Sequence, residues 1–106
     1  MIISSMDTDM FKDFSAYDEY QIGEHLFKVY KNPDVDALCE KSKILNICII
    51  DNLGNKKYLT HKSDIDNSPV TEIIEKDKTI GLYHWRGFLT RIDKRSLDFV
   101  DQSFTK

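Results

Sequence analysis

Residues 44–60, ILNICIIDNLGNKKYLT, decide the fold that the sequence predicts. The stretch 44–51 is apolar on both alternating faces, broken only by Asn46, which is typical of a central strand covered on both sides. Residues 52–55, Asn-Leu-Gly-Asn, tolerate positive φ and predict a hairpin connection. Residues 56–60 then predict the returning strand.

Further elements are predicted on both sides of this hairpin. Residues 24–31 form a β-prone run, and residues 33–42 predict a helix that Asn32 can cap and Pro33 can begin. Ser68 and Pro69 predict the start of a second short helix with Val70, Ile73 and Ile74 on its apolar face. Residues 79–85 and 87–92 predict two more strands, and residues 97–100 predict either a strand or a short helix.

The N-terminal segment, residues 1–20, differs from the rest of the chain in charge and aromatic density. Four aromatic residues recur at every third position, and acids lie between them. Because 7–9, Asp-Thr-Asp, can cap a helix, residues 9–18 predict a short helix or a partly irregular segment. The aromatic residues are Phe11, Phe14, Tyr17 and Tyr20.

Together these elements predict an α+β domain of about five mainly antiparallel strands, with two or three short helices packed on the sheet. The 106 residues suit a single compact domain and are too few for two. About 41% of the residues are hydrophobic and 31% are charged, which is the balance of a globular chain.

The charge is unevenly distributed along the chain. The net charge is −3, yet residues 1–40 hold nine acids and three bases, a net charge of −6. Either these are ordinary solvated faces that neutralise one another, or they form one acidic surface built mainly from the N-terminal third. Non-specific nucleic-acid binding requires a net basic domain, which this chain is not.

The sequence favours a reduced cytoplasmic setting. Two cysteines, Cys39 and Cys48, do not make a disulfide scaffold, and Cys48 lies in an apolar run that predicts a buried side chain. The first residues lack the basic lead and the apolar stretch of a signal peptide. No run approaches about 18 consecutive apolar residues, so we expect no membrane contact.

No motif in the sequence predicts catalysis, a metal or a cofactor. The histidines and cysteines are not spaced as zinc ligands, and the glycines do not form a phosphate-binding loop. We therefore predict a protein that is not an enzyme and that holds no metal or cofactor. An enzymatic alternative is a dispersed site that combines His84 with a nearby carboxylate.

Two groups of residues are candidates for binding. The first is an aromatic and acidic patch, in which tyrosines supply contact area and carboxylates steer a basic partner. The second is a sheet face on which aromatic rings and bases can stack on nucleobases, unless Tyr83 and Trp85 are simply packing residues. The first group is Asp13, Tyr17, Asp18, Glu19 and Tyr20, and the second is Tyr83, Trp85, Arg86 and Arg91.

The first group leads to the predicted function. We expect a small acidic, non-catalytic binding protein that occludes a basic surface of a protein partner, such as a toxin, a nuclease or a nucleic-acid-binding factor. Immunity proteins, antitoxin-like proteins and phage-encoded inhibitors act in this way as classes, which is a functional analogy. The second group leads to the alternative of a nucleic-acid-binding module.

Overall fold

The computed structural model describes residues 10–105 in full and the backbone of residues 2–5. This part of the chain contains nine strands and one helix. In chain order they are β1 (Ile2–Ser5), β2 (Tyr17–Ile22), β3 (His25–Tyr30), α1 (Val35–Ser42), β4 (Ile44–Ile50), β5 (Lys56–Thr60), β6 (Val70–Glu75), β7 (Thr79–His84), β8 (Phe88–Asp93) and β9 (Phe99–Phe104).

The strands form two antiparallel sheets. The first sheet has the order β1-β5-β4-β3-β2, and the second has the order β6-β7-β8-β9. Buried residues from both sheets share one core, with Phe27, Ile47 and Ile49 from the first sheet against Ile80 and Leu82 from the second. The described chain is thus a two-layer β-structure.

Helix α1 and the turn that contains Phe11 cover the other side of the first sheet. Phe11 is buried and stacks on Tyr30, with 4.5 Å between the ring centroids. Val35 and Cys39 of α1 join the same cluster, together with Tyr58 of β5. The first sheet is therefore covered on both sides, as the apolar run of β4 predicts.

The predicted α+β class is wrong, because the described residues form mostly strands and a single short helix. The second predicted helix is instead β6. Val70 and Ile73 are both buried although they lie three positions apart, because a bulge between Val70 and Glu72 shifts the alternation by one residue. This bulge reproduces the spacing of a helical face.

The predicted helix over 9–18 is also wrong within the described residues. Residues 10–13 form a turn, closed by a hydrogen bond from the Phe14 amide to the Phe11 carbonyl, and β2 begins at Tyr17. The Asp-Thr-Asp cap at 7–9 lies outside the described residues, as does residue 9 of the helix.

The local predictions around the hairpin are confirmed. Strands β3, β4 and β5 and helix α1 lie where the sequence predicts them, and Cys48 is buried. Helix α1 begins two residues later than predicted, because the Asn32 side chain accepts a hydrogen bond from the Ala16 amide at 3.1 Å instead of capping the helix. The last element is a strand, β9, preceded by the buried Leu97 at a φ of 65°.

The two sheets are joined by a buried polar side chain on the central strand. The Asn46 amide nitrogen donates to the Val70 carbonyl at 2.8 Å and to the Tyr30 carbonyl at 3.1 Å. The Asn46 oxygen accepts from the Val70 amide at 2.7 Å. This residue, the one interruption of the apolar run, therefore fixes the start of β6 against β4.

Candidate functional site

The predicted N-terminal patch is divided between the two faces of β2. This strand is an edge of the first sheet, and its residues alternate between the side covered by α1 and the side that faces the second sheet. Tyr17 and Glu19 lie on the α1 side, whereas Asp18 and Tyr20 lie on the other side. Asp13 is exposed in the turn of residues 10–13.

The two tyrosines have different surroundings. Tyr20 packs against the main core, where burial raises its pKa and its hydroxyl hydrogen-bonds to the Ile73 backbone. Tyr17 is 37% exposed, and its ring contacts Tyr30 and lies 4.7 Å from the Lys28 ammonium. Tyr17 is therefore the more exposed of the two tyrosines.

Exposed acids gather on the α1 side of the first sheet. The segment that carries Asp13 is held beside the start of α1, since the Lys31 amide donates to the Ala16 carbonyl at 2.7 Å and the Asn32 side chain binds Ala16. Helix α1 and the residue before it add three more exposed carboxylates. We call this set the acidic face: Asp13, Glu19, Asp34, Asp36 and Glu40.

The second predicted group separates into two pairs. Tyr83 and Arg91 lie on the outer face of the second sheet, where Arg91 makes a bidentate ion pair with Asp101. Trp85 and Arg86 lie instead in the turn between β7 and β8. The structure therefore does not bring the four side chains onto one stacking surface.

Trp85 stands at the mouth of a cleft. The side chain is 71% exposed, so the interpretation of Trp85 as a packing residue is wrong. The cleft has a volume of about 580 Å³ and lies between α1, the start of β4 and the loop before β6. We call it the Trp85 cleft. The residues that line it include Asp36, Cys39, Glu40, Asn46, His61, Asp66, Ser68, Trp85 and Arg86.

The backbone around Trp85 is fixed by hydrogen bonds. The Trp85 amide donates to the Pro69 carbonyl at 2.7 Å, and the Gly87 amide donates to the His84 carbonyl at 2.9 Å. Gly87 adopts a φ of 92°, which favours glycine and closes the turn. An exposed indole is therefore presented from an anchored turn.

A buried polar chain holds the loop that forms one wall of the cleft. The Ser68 carbonyl can only accept, so His84 Nδ1 carries the proton and donates to it at 2.6 Å. His84 Nε2 then accepts from the Thr90 hydroxyl at 2.6 Å. Gln102 donates to both Thr90 Oγ1 and the Asp66 carbonyl, and its own oxygen accepts from the Asp66 amide.

The surroundings of His84 determine its protonation. Burial is the largest influence and lowers the pKa of His84, despite its hydrogen bond to Ser68 and the nearby Asp66 charge. A neutral ring satisfies the donor and acceptor pattern of the chain. Since both nitrogens are bonded within the protein and the side chain is buried, His84 positions the loop and has no nitrogen available to a substrate.

The ionisable groups in the cleft have distinct states near neutral pH. Burial lowers the pKa of His61, so its ring is neutral. Burial, followed by the Asp36 charge, raises the pKa of Cys39 to about 12, which makes it a poor nucleophile. Burial favours a higher pKa for Asp66, but hydrogen bonds from Ser68 and the Arg86 charge lower it. The cleft is thus lined by three carboxylates and one guanidinium group, those of Asp36, Glu40, Asp66 and Arg86.

The sequence did not predict that these residues converge. Asp36 and Glu40 are four positions apart on a predicted helix, which was the available indication that they share a face. Their approach to Asp66 and Trp85 depends on how α1 packs against the loop before β6. Within residues 10–105, no group of three or more potential metal ligands is found.

Comparison of the chain with protein-family models, curated proteins and solved structures finds no match. None of the described helices is long and apolar enough to cross a membrane.

Proposed function

We propose that this protein is a non-catalytic binding protein whose acidic face covers a basic surface of a protein partner. The observation that supports the proposal is the gathering of five exposed carboxylates on the α1 side of the first sheet. Carboxylates that lie together on one face can raise the rate of encounter with a basic surface.

Four bases lie on the same segments as these five acids, so the net charge of the acidic face is only −1. They are Lys12 beside Asp13, Lys28 on β3, and Lys41 and Lys43 at the end of α1. Lys28 lies over the Tyr17 ring, and Lys31 pairs with Asp18 at 3.7 Å on the opposite side of β2. Lys43 approaches Glu40 at 3.8 Å, with both side chains well exposed. Such exposed pairs are worth little in water, so a partner's basic groups can replace them at low cost.

The proposal is tested by affinity capture from the source cell with matched charge variants. One variant is Asp13→Asn/Glu19→Gln/Asp34→Asn, which neutralises part of the acidic face without touching the Trp85 cleft. The control is Glu72→Gln/Asp77→Asn/Asp98→Asn, which removes the same charge from exposed positions elsewhere. We expect a basic protein to be retained by the wild type and the control but lost from the first variant.

Two outcomes contradict this proposal. One is that all three proteins capture the same partners in equal amounts. The other is that the retained partner is itself acidic, since charge attraction then cannot explain the complex. Thermal unfolding of each variant, run in parallel, establishes that a lost partner does not reflect a lost fold.

A nucleic-acid-binding module is a second candidate, and the exposure of Trp85 is the observation that favours it. An exposed indole can stack on an unpaired base. Against it, Arg86 approaches Asp66 at 3.6 Å and Arg91 pairs with Asp101, so both guanidinium groups face carboxylates. Fluorescence titration with a single-stranded oligouridine tests this candidate, which requires saturable quenching of Trp85 that weakens with salt.

A further inference from the structure

We propose that the Trp85 cleft receives an arginine side chain of the partner, with the guanidinium stacked on the Trp85 ring and bound by Asp36 and Glu40. This inference rests on the proposed function and identifies the part of the protein that would bind one side chain of the partner. It concerns residues that the acidic-face variant above leaves unchanged.

The first support is the exposure of Trp85. Tryptophan is highly buried on average, because its large apolar surface stabilises a core. Here the ring is 71% exposed, while its own amide is bonded to Pro69. The side chain therefore contributes little to the core of the free protein, and a flat π-surface is available to a ligand.

The second support is the arrangement of Asp36 and Glu40 on α1. They are four positions apart, so their like charges lie on the same helical face and repel one another. Glu40 is also in the second half of an eight-residue helix, the end at which the helix dipole disfavours an acid. Glu40 approaches Lys43 at 3.8 Å, whereas Asp36 has no ion-pair partner among the described residues, so a bound cation would supply the charge partner that Asp36 lacks.

The cleft also discriminates between kinds of ligand. Asp36, Glu40 and Asp66 disfavour an anion, and Arg86 is directed at Asp66. The Asn46 side chain, which also lines the cleft, uses both of its N–H donors within the protein, so it has no donor left for a ligand. A cation that stacks and donates several hydrogen bonds fits this lining.

Arginine fits better than lysine for a geometric reason. Its guanidinium is planar, so it can stack on an indole and still direct its N–H groups at carboxylates. The lysine ammonium is a strongly hydrated point charge that cannot form the same fork. The cleft volume of about 580 Å³ leaves room for backbone on either side of one such side chain.

The test uses the chain's single tryptophan as a reporter. The wild-type protein is titrated with acetyl-Gly-Arg-Gly-amide, with the corresponding lysine peptide, and with a citrulline peptide that has the same shape but no charge. We expect saturable quenching by the arginine peptide at millimolar concentration, weaker quenching by the lysine peptide, and none by the citrulline peptide.

Matched variants then locate the binding. Asp36→Asn and Glu40→Gln should each weaken binding of the arginine peptide about threefold to tenfold, since each removes a charged partner of the guanidinium. Asp98→Asn should leave it unchanged. Trp85→Leu, followed by amide chemical shifts of the cleft residues, should weaken it by a similar factor. All four side chains are exposed, so the fold should tolerate these changes.

Several results overturn the inference. They are equal quenching by the citrulline peptide, an unchanged affinity in both carboxylate variants, or displacement of the arginine peptide by oligouridine. If these occur while the acidic-face variant still loses its basic partner, the partner binds outside the cleft and the proposed function stands. If the acidic-face variant also keeps every partner, both proposals fail.

Discussion

Replacement of Asn46 by alanine should destabilise the protein by about 3 kcal/mol, because it removes the buried link between the two sheets. Asn46 makes three hydrogen bonds, two to Val70 and one to Tyr30. Each hydrogen bond is worth about 1 kcal/mol net, and the buried Val70 amide loses the acceptor that the Asn46 side chain provides. A loss between about 2 and 4 kcal/mol is therefore expected.

The assay is urea unfolding followed by circular dichroism. With a slope of about 1.5 kcal/mol per molar urea, a loss of 3 kcal/mol lowers the midpoint by about 2 M. Asn52→Ala is the control, because Asn52 is exposed in the hairpin and its replacement should change stability by less than about 0.5 kcal/mol. Hydrogen exchange at the Val70 amide should also accelerate in Asn46→Ala under native conditions.

A urea midpoint that falls no further in Asn46→Ala than in Asn52→Ala would contradict a linking role for Asn46. A Val70 amide that stays as protected as in the wild type would also contradict it, because that amide donates to Asn46 in the structure. Asn46→Asp gives an independent check. It keeps the size and the acceptor but loses both donors to the carbonyls, so it should be destabilised at least as much at pH 7.

Three further predictions concern stability and reactivity. Burial lowers the folded-state pKa of His84 and His61 below the unfolded value of about 6.5, so the protein should become less stable as the pH falls from 7 to 5. Urea midpoints measured across this pH range should fall less in His84→Gln than in the wild type. Phe11→Ala should cost about 3 kcal/mol in urea unfolding, whereas Tyr17→Ala should cost under about 1 kcal/mol; equal losses would contradict the division between core and surface. Both cysteine thiols are buried and should react with a disulfide reagent at pH 8 only after unfolding, so rapid native labelling would contradict their placement.

The sequence predicted the elements that depend on local information. The hairpin of β4 and β5 follows from an apolar run and a turn that favours positive φ, and α1 follows from Pro33 and the spacing of Val35, Leu38 and Cys39. These signals lie within a few residues of the structure that they specify.

The prediction failed where a distant contact changed the local pattern. A single bulge in β6 gave Val70 and Ile73 the spacing of a helix, and their pairing with β7 decided the outcome. Ser68 did not cap a helix because its amide and hydroxyl bind Asp66. Neither effect is visible in a short window of sequence.

The candidate site was predicted only in part. The acidic character of residues 1–40 was visible in the sequence. The separation of Tyr17 and Tyr20 follows from the alternation along β2, a strand that the sequence did not predict. The exposure of Trp85 contradicts the usual preference of its residue type. The position of Trp85 near Asp36 and Glu40 depends on how α1 packs against the loop before β6, and a single sequence does not reveal that packing.

The most direct test of the central claim is the association rate of the captured partner at low and high salt. If the acidic face steers a basic surface, the rate constant should fall at least tenfold for the wild type between about 50 and 500 mM salt. For Asp13→Asn/Glu19→Gln/Asp34→Asn, the rate constant at low salt should be lower than in the wild type, and its decrease with salt should be smaller. The control variant should behave as the wild type does. A rate constant that is independent of salt and equal in all three proteins would contradict the account.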